Sequence, residues 1–311
     1  MSEKPSVENS FLHQIEMGVG AWAWGDKLFW NYGSDYNDKD IEAAFQVSLE
    51  GGVNLVDTAE AYGQGRSERL LGQFIHNSQQ PVLVATKFFP FPWRFTKTSV
   101  VKALRRSLDR LQLDKVDLYQ LHWPSPLVPF DTFVGGLALV VESGLSRAVG
   151  ISNYDNGQMQ RAYNILIRHN IQLASNQVEY HLLNRKVEKN GVLEQCKKLG
   201  VRLIAYSPLS KGLLTGKYTS ENPPPGLRGR MYGSILGNLQ GLIGVLTEIG
   251  QQHGGKTSGQ VALNWLICKG AMPIPGIKNR QQAIENLGAT GWRLTDDEVR
   301  VLDDASDQFT S

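Results

Sequence analysis

The chain has 311 residues, 41% of them hydrophobic, with 32 basic and 30 acidic side chains and a formal net charge of +2. That balance supplies no global field for nucleic acid or an anionic membrane, and no uninterrupted apolar run approaches the ~18 residues a membrane helix needs. Cys196 and Cys268 lie far apart with no CxxC or Cys/His ligand spacing, so structural thiols in a reducing compartment are expected, with no metal site.

The first eleven residues, MSEKPSVENSF, hold no apolar stretch of the signal-peptide kind, and residues 1–12 read as a mobile end. The first strand is expected over 17–22 (MGVGAW) and the first helix over 38–50. Strand 53–59 (VNLVDTA) leads to helix 66–76, with Ser67 and Glu68 near its start and Gly72 inside it. Strand 82–88 leads to helix 96–111, where Val101, Leu104, Leu108 and Leu111 share one face. Strands 116–122 and 145–152 follow, then helix 155–169, strand 173–180, helix 188–199 and strand 201–209. A Pro/Gly-rich loop at 222–233 precedes helices over 238–252 and 258–268 and a last strand over 271–277. A long loop after a strand often covers a site, and this one is expected to do so.

Most successive strands begin roughly 27–36 residues apart, the length of one βα unit. Eight such units imply a parallel sheet that closes most naturally into a (β/α)8 TIM barrel of the α/β class, a single domain over 1–311. The rival doubly wound sheet would usually carry GxGxxG after its first strand, and Gly18, Gly20 and Gly25 have the wrong spacing for it.

Catalytic groups of such barrels come from the C-terminal strand ends. The second strand ends at Asp57 with Tyr62 just beyond, the third at Lys87, and the fourth at His122. A phenol near pKa 10 is a poor reversible acid at neutrality, and a neighbouring ammonium should lower that value. Asp57 would hold Lys87 charged, and a neutral His122 could orient a carbonyl oxygen. The set describes a proton donor poised to protonate an oxygen while something else attacks carbon.

DTAEAYG (57–63), VATK (84–87) and LHWP (121–124) resemble the motifs of the aldo-keto reductases, in a form similar to their bacterial and plant-plastid branch. GISNY (150–154), NQVEYH (176–181), YSPLSKGLLTGKY (206–218), QVALNWL (260–266) and PIPGIKNRQQAIEN (273–286) continue the resemblance in order, from about residue 14 to 304. It implies that Asp57, Tyr62, Lys87 and His122 form the catalytic tetrad, with Tyr62 as general acid. It further implies NADPH/NADP+ as cofactor and a small-molecule carbonyl as substrate. Ser152, Asn153 and Gln177 would then hold the carboxamide, with Tyr206 stacked on the nicotinamide. Ser207, Pro208, Leu209, Ser210, Gly212, Leu214 and Lys217 would cradle the pyrophosphate. Gly276, Lys278, Gln282, Glu285 and Asn286 would bind the adenosine end, with Lys278 on the 2′-phosphate.

The expected function is therefore NADPH-dependent reduction of aldehydes and some ketones, by an oxidoreductase acting on CH–OH donors with NAD(P) as acceptor. Trp22 and Trp24, Phe88 and Trp93, and Trp123 follow the first, third and fourth strands and are expected to line an apolar substrate pocket for planar, uncharged carbonyls. Two other readings stand beside it. One is a redox-sensing or channel-associated subunit that binds the cofactor with little turnover. The other is a lyase or aldolase with Lys87 as Schiff-base amine, which leaves 206–218 and 273–286 unexplained. A cytoplasmic location is expected, or a plastid one where a transit peptide has been removed. Monomer and homo-oligomer both stay open.

Overall fold

Eight parallel strands run in chain order in the computed structural model, which describes residues 7–27, 29–225 and 227–309. They are β1 (Val19–Gly20), β2 (Leu55–Asp57), β3 (Leu83–Phe88), β4 (Val116–Leu121), β5 (Ser146–Ser152), β6 (Leu173–Glu179), β7 (Arg202–Tyr206) and β8 (Met272–Pro273). Each falls inside the span expected from sequence. The sheet closes on itself: Gly18 N donates to Pro273 O and Gly20 N to Pro275 O, both at 3.0 Å, and Gly20 bridges Gly276. A Cβ on Gly20 would sit 2.7 Å from the Ile274 carbonyl oxygen, so this seam requires glycine. Strands β1 and β8 are short because Pro273 and Pro275 have no N–H to return to β1. Only carbonyls on that side of β8 can join the seam.

The helices are α1 (Asp38–Glu50), α2 (Arg66–Asn77), α3 (Lys97–Leu111), α4 (Phe130–Glu142), α5 (Asn156–Ile167), α6 (Lys186–Lys189), α7 (Val192–Leu199), α8 (Leu227–Tyr232), α9 (Leu236–Gln252), α10 (Ser258–Cys268), α11 (Arg280–Leu287) and α12 (Asp296–Ser306). The starts of α1, α3, α5, α10, α11 and α12 carry side-chain caps that satisfy otherwise orphaned N–H groups, as in the reciprocal boxes Asn37/Asp40 and Thr257/Gln260. The glycine within α2 has a packing cause: a Cβ on Gly72 would lie 2.5 Å from the Leu111 carbonyl oxygen at the end of α3. Helix 188–199 is in fact two pieces, α6 and α7, and the loop at 222–233 contains α8. Gly226 within it lies outside the described residues.

Inside the barrel, Leu55, Ala85, Leu118, Ala148, Ala174, Ile204 and Met272 form one apolar layer with a residue from each strand β2 to β8. Phe11 and Leu12 close it, inside a 3-10 helix spanning Val7–Gln14. Phe11 and Leu12 are therefore a packed plug and not part of the mobile end expected; residues 1–6 lie outside the described residues. The cysteines are buried or half-buried, and burial pushes the Cys196 thiol up to about 12. Among the described residues, no helix is long and apolar enough to cross a membrane.

Candidate active site

A strand alternates its side chains between two faces, so the inward position after each apolar layer residue lies two residues on. For β2 to β4 those positions are Asp57, Lys87 and Gln120. Lys87 is fully buried, and all three of its ammonium hydrogens are engaged: it donates to Asp57 Oδ1, to Thr58 O at 2.9 Å and to the Tyr62 hydroxyl at 3.3 Å. Asp57 Oδ2 accepts from Gln120 Nε2 at 3.1 Å and Gln177 Nε2 at 2.8 Å. The buried ion pair is thus fully hydrogen-bonded, the condition under which burying two charges is tolerable. Burial acts against the Lys87 charge, but Asp57 and Tyr62 outweigh it and hold the ammonium above its usual value. Burial also raises the Tyr62 phenol, with Lys87 opposing. Lys87 pulls the phenol down as expected, but desolvation is the larger effect, so the net value lies above the usual one and Tyr62 remains a protonated phenol.

His122 stands just past β4, its ring edge-on to Tyr62 at 5.6 Å between centroids. Burial, with Lys87 adding to it, lowers its pKa to about 3, so the imidazole is neutral. Among the described residues its Nδ1 is buried without a hydrogen-bond partner. Tyr206 donates to Asn153 Oδ1 at 3.0 Å, and Asn153 Nδ2 donates to His122 O at 3.1 Å. Ser152 Oγ and Asn153 N both donate to Gln177 O, at 2.8 and 2.9 Å. One network therefore joins the ends of β4 to β7.

These groups open on a cleft of about 960 Å³. It runs from Tyr62 and His122 past Ser152, Asn153, Gln177 and Tyr206, along Ser207, Pro208, Leu209, Gly212 and Lys217, to Gly276, Lys278, Gln282, Glu285 and Asn286. Ser207, Ser210 and Lys211 hold left-handed φ of 50°, 47° and 55°, and Gly212 follows at 96°. Such concentrated backbone strain clusters at ligand-gripping loops. Lys278 Nζ lies over the Trp30 ring at 4.3 Å and the Tyr36 ring at 4.9 Å, while Lys278 N donates to Gln282 Oε1 at 3.0 Å. At the far end the buried Asn286 Nδ2 has no hydrogen-bond partner.

Five expected site residues stand elsewhere. Trp24 is fully buried outside the cleft and donates to Ile277 O at 3.0 Å. Phe88 points outward from β3 and packs on Phe133. Trp93 is 69% exposed and stacks on Phe91. Leu214 belongs to the core, and Ser210 is buried with its N–H donated to Ser207 O at 2.7 Å. Trp22 and Trp123 do line the cleft, joined by Phe89 and Trp30. Phe89 and Gln120 were missed although alternation along β3 and β4 pointed to them: Phe89 shares the parity of Lys87, and Gln120 that of His122. Tyr232 of α8 donates nothing to the cleft directly but accepts from Lys211 Nζ at 2.9 Å, and Lys211 lines the cleft.

A family model described as the aldo/keto reductase family matches residues 16–307. A chloroplastic pyridoxal reductase of Arabidopsis thaliana is 46% identical over 303 residues, covering 93% of this chain and 82% of that protein. A glycerol dehydrogenase from Gluconobacter oxydans has a similar structure, with TM-score 0.82, 27% identity and coverage of 94% and 92%. An aldo-keto reductase from Klebsiella pneumoniae in complex with NADPH matches with TM-score 0.72, 28% identity and coverage of 93% and 90%.

Proposed function

The chain belongs to the aldo/keto reductase family, and on that premise we propose that it reduces aldehydes to alcohols with NADPH, Tyr62 being the proton donor. The observation that carries this reading is the convergence on Tyr62: Lys87 donates to its hydroxyl, and His122 stands edge-on beside it at the inner end of the cleft. The cofactor assignment is supported by the fit of the cleft, whose strained loop after β7 and unpartnered Asn286 amide ask for a polar ligand. Ser152, Asn153, Gln177 and Tyr206 would hold the nicotinamide end. Ser207, Pro208, Leu209, Gly212 and Lys217 would hold the pyrophosphate, and Lys278, Gln282, Glu285 and Asn286 the adenosine phosphate. When bound, NADPH supplies the hydride. Tyr62 gives its proton to the carbonyl oxygen as the carbon is reduced, and Lys87 stabilises the phenolate left behind. Neutral His122 donates from Nε2 and orients that oxygen, while Asp57, held by Gln120 and Gln177, keeps Lys87 charged. The reverse alcohol oxidation by NADP+ uses the same groups and releases a proton, so higher pH favours it. A Schiff-base role for Lys87 is opposed by its full burial and three hydrogen bonds.

The substrate end of the cleft is lined by Trp22, Phe89 and Trp123, which suits planar aromatic aldehydes, pyridoxal among them. Open-chain sugars would leave hydroxyls unpaired on burial. The test is kcat/KM for 4-nitrobenzaldehyde and pyridoxal against glucose and xylose with saturating NADPH. The aromatic aldehydes should lead; a sugar preference contradicts the apolar-pocket reading.

A further inference from the structure

Two charged residues outside the tetrad are buried next to it. Glu60 and Arg94 are 9% and 8% exposed and form a two-pronged ion pair, Arg94 Nη1 on Glu60 Oε1 and Nη2 on Oε2 at 2.9 Å. Surface exposure cannot explain them, and isolated charges at this depth would be costly. Their remaining hydrogen bonds converge on a single residue. Glu60 Oε1 accepts from Phe89 N at 2.7 Å, and Arg94 Nη1 donates to Phe89 O at 2.8 Å. Phe89 is the first residue past β3, where the ladder no longer serves its backbone; the ion pair engages both of its polar groups, and its carbonyl also accepts from Phe91 N at 2.9 Å. The guanidinium also lies over the rings of Phe88 and Phe91, at 4.8 and 5.0 Å.

What the clamp holds is a wall of the active site. The Phe89 ring meets the His122 ring edge-on at 5.6 Å and 84°, and the Tyr62 ring meets it at 5.6 Å and 83°. A histidine's orientation is ordinarily set by the hydrogen bond its second nitrogen makes. Here Nδ1 makes none, so ring packing must do that work. Glu60 lies two residues before Tyr62, so the pair also ties the Tyr62 loop to the loop bearing Phe89. We propose that Glu60 and Arg94 are positioning residues for the reaction, fixing Phe89 and through it the ring of His122.

The proposal rests on the carbonyl-reductase reading, and the experiment separates the two. Breaking one partner alone would strand a buried charge and endanger the fold. The test variant is therefore the double substitution Glu60→Gln with Arg94→Met, which removes both charges. Arg94→Lys serves as a second variant that keeps the charge and loses the fork. Each is assayed with 4-nitrobenzaldehyde, and kcat is counted per NADPH-binding site, so that unfolded protein does not enter. The double variant should bind NADPH as the wild type does yet lose at least about tenfold in kcat, the scale expected when a catalytic group is held loosely. Arg94→Lys should fall between the two. Variants with wild-type kcat per binding site and lowered thermal midpoints would reduce the pair to structure and overturn the proposal. A wild type that turns over no aldehyde would overturn the carbonyl-reductase reading itself.

Discussion

Gln177 Nε2 lies 2.8 Å from Asp57 Oδ2, joining β6 to β2 across the barrel between residues 120 positions apart. Gln120 makes the matching bond from β4 at 3.1 Å, so two amides aim at the carboxylate oxygen that Lys87 leaves unused. The proposed tetrad is therefore seated on an amide layer, and that layer should matter for catalysis without touching a ligand through Gln120. Gln120 is fully buried and does not line the cleft. Gln120→Leu should cost about 1–3 kcal/mol of stability through the unmade bond. It should lower kcat while leaving NADPH affinity unchanged. Denaturant titration and fluorescence titration with NADPH check the two halves; weakened NADPH binding would show that the residue shapes the cleft itself.

The neutral state of His122 has a signature in stability. Its folded value near 3 lies below the 6.5 of a free imidazole. The neutral ring therefore stabilises the fold fully above about pH 6.5, and the contribution is lost as the pH falls toward 3. The slope from this one group is at most about 1.4 kcal/mol per pH unit. His122→Gln removes the titrating group, so its unfolding free energy should decline less steeply than that of the wild type between pH 6.5 and 4.5. Parallel curves for the two proteins would contradict the buried, neutral imidazole.

Cofactor choice should depend on Lys278. Its ammonium lies over the rings of Trp30 and Tyr36 at the far part of the cleft, where a 2′-phosphate would meet it. Lys278→Glu should weaken NADPH by about 1 kcal/mol or more, and NADH much less. Equal losses for both nucleotides, measured by titration calorimetry, would assign the lysine to the surface.

The N-terminal plug makes a prediction about stability alone. Leu12 is fully buried beneath the apolar layer of the barrel, at the end away from the cleft. Leu12→Ala should cost about 2–5 kcal/mol, the range for a buried leucine, and leave kcat/KM unchanged at temperatures where the fold is intact. Thermal unfolding and steady-state assays together check this.

The fold was largely legible because its strands carry compact apolar runs at regular intervals, and because α1, α3 and α10 have clear amphipathic faces or caps. Helix α4 was missed because FDTFVGGLALVVE is apolar nearly all round and holds two glycines, so no polar stripe betrays it. Helix α11 is only eight residues long, and α12 buries just Leu302 and Ser306 among many charges. The plug was read as a loose end because Phe11 and Leu12 stand alone in a polar stretch, and only the tertiary fold gives them partners. At the site, Asp57, Lys87 and His122 were found from strand ends, whereas Phe88 and Trp24 were misplaced because aromatic identity was given more weight than the direction of the side chain. The Glu60–Arg94 pair is a long-range contact between residues 34 apart, which no local pattern announces.

Tyr62→Phe is the most direct measurement of the central claim. The substitution removes the hydroxyl that accepts from Lys87 and keeps the ring that packs on His122. NADPH consumption with 4-nitrobenzaldehyde should fall by about 10²–10⁴, as loss of a general acid entails, while NADPH affinity is retained. A variant that keeps more than about half of the wild-type kcat would contradict Tyr62 as the proton donor, since removing a general acid costs far more than a factor of two.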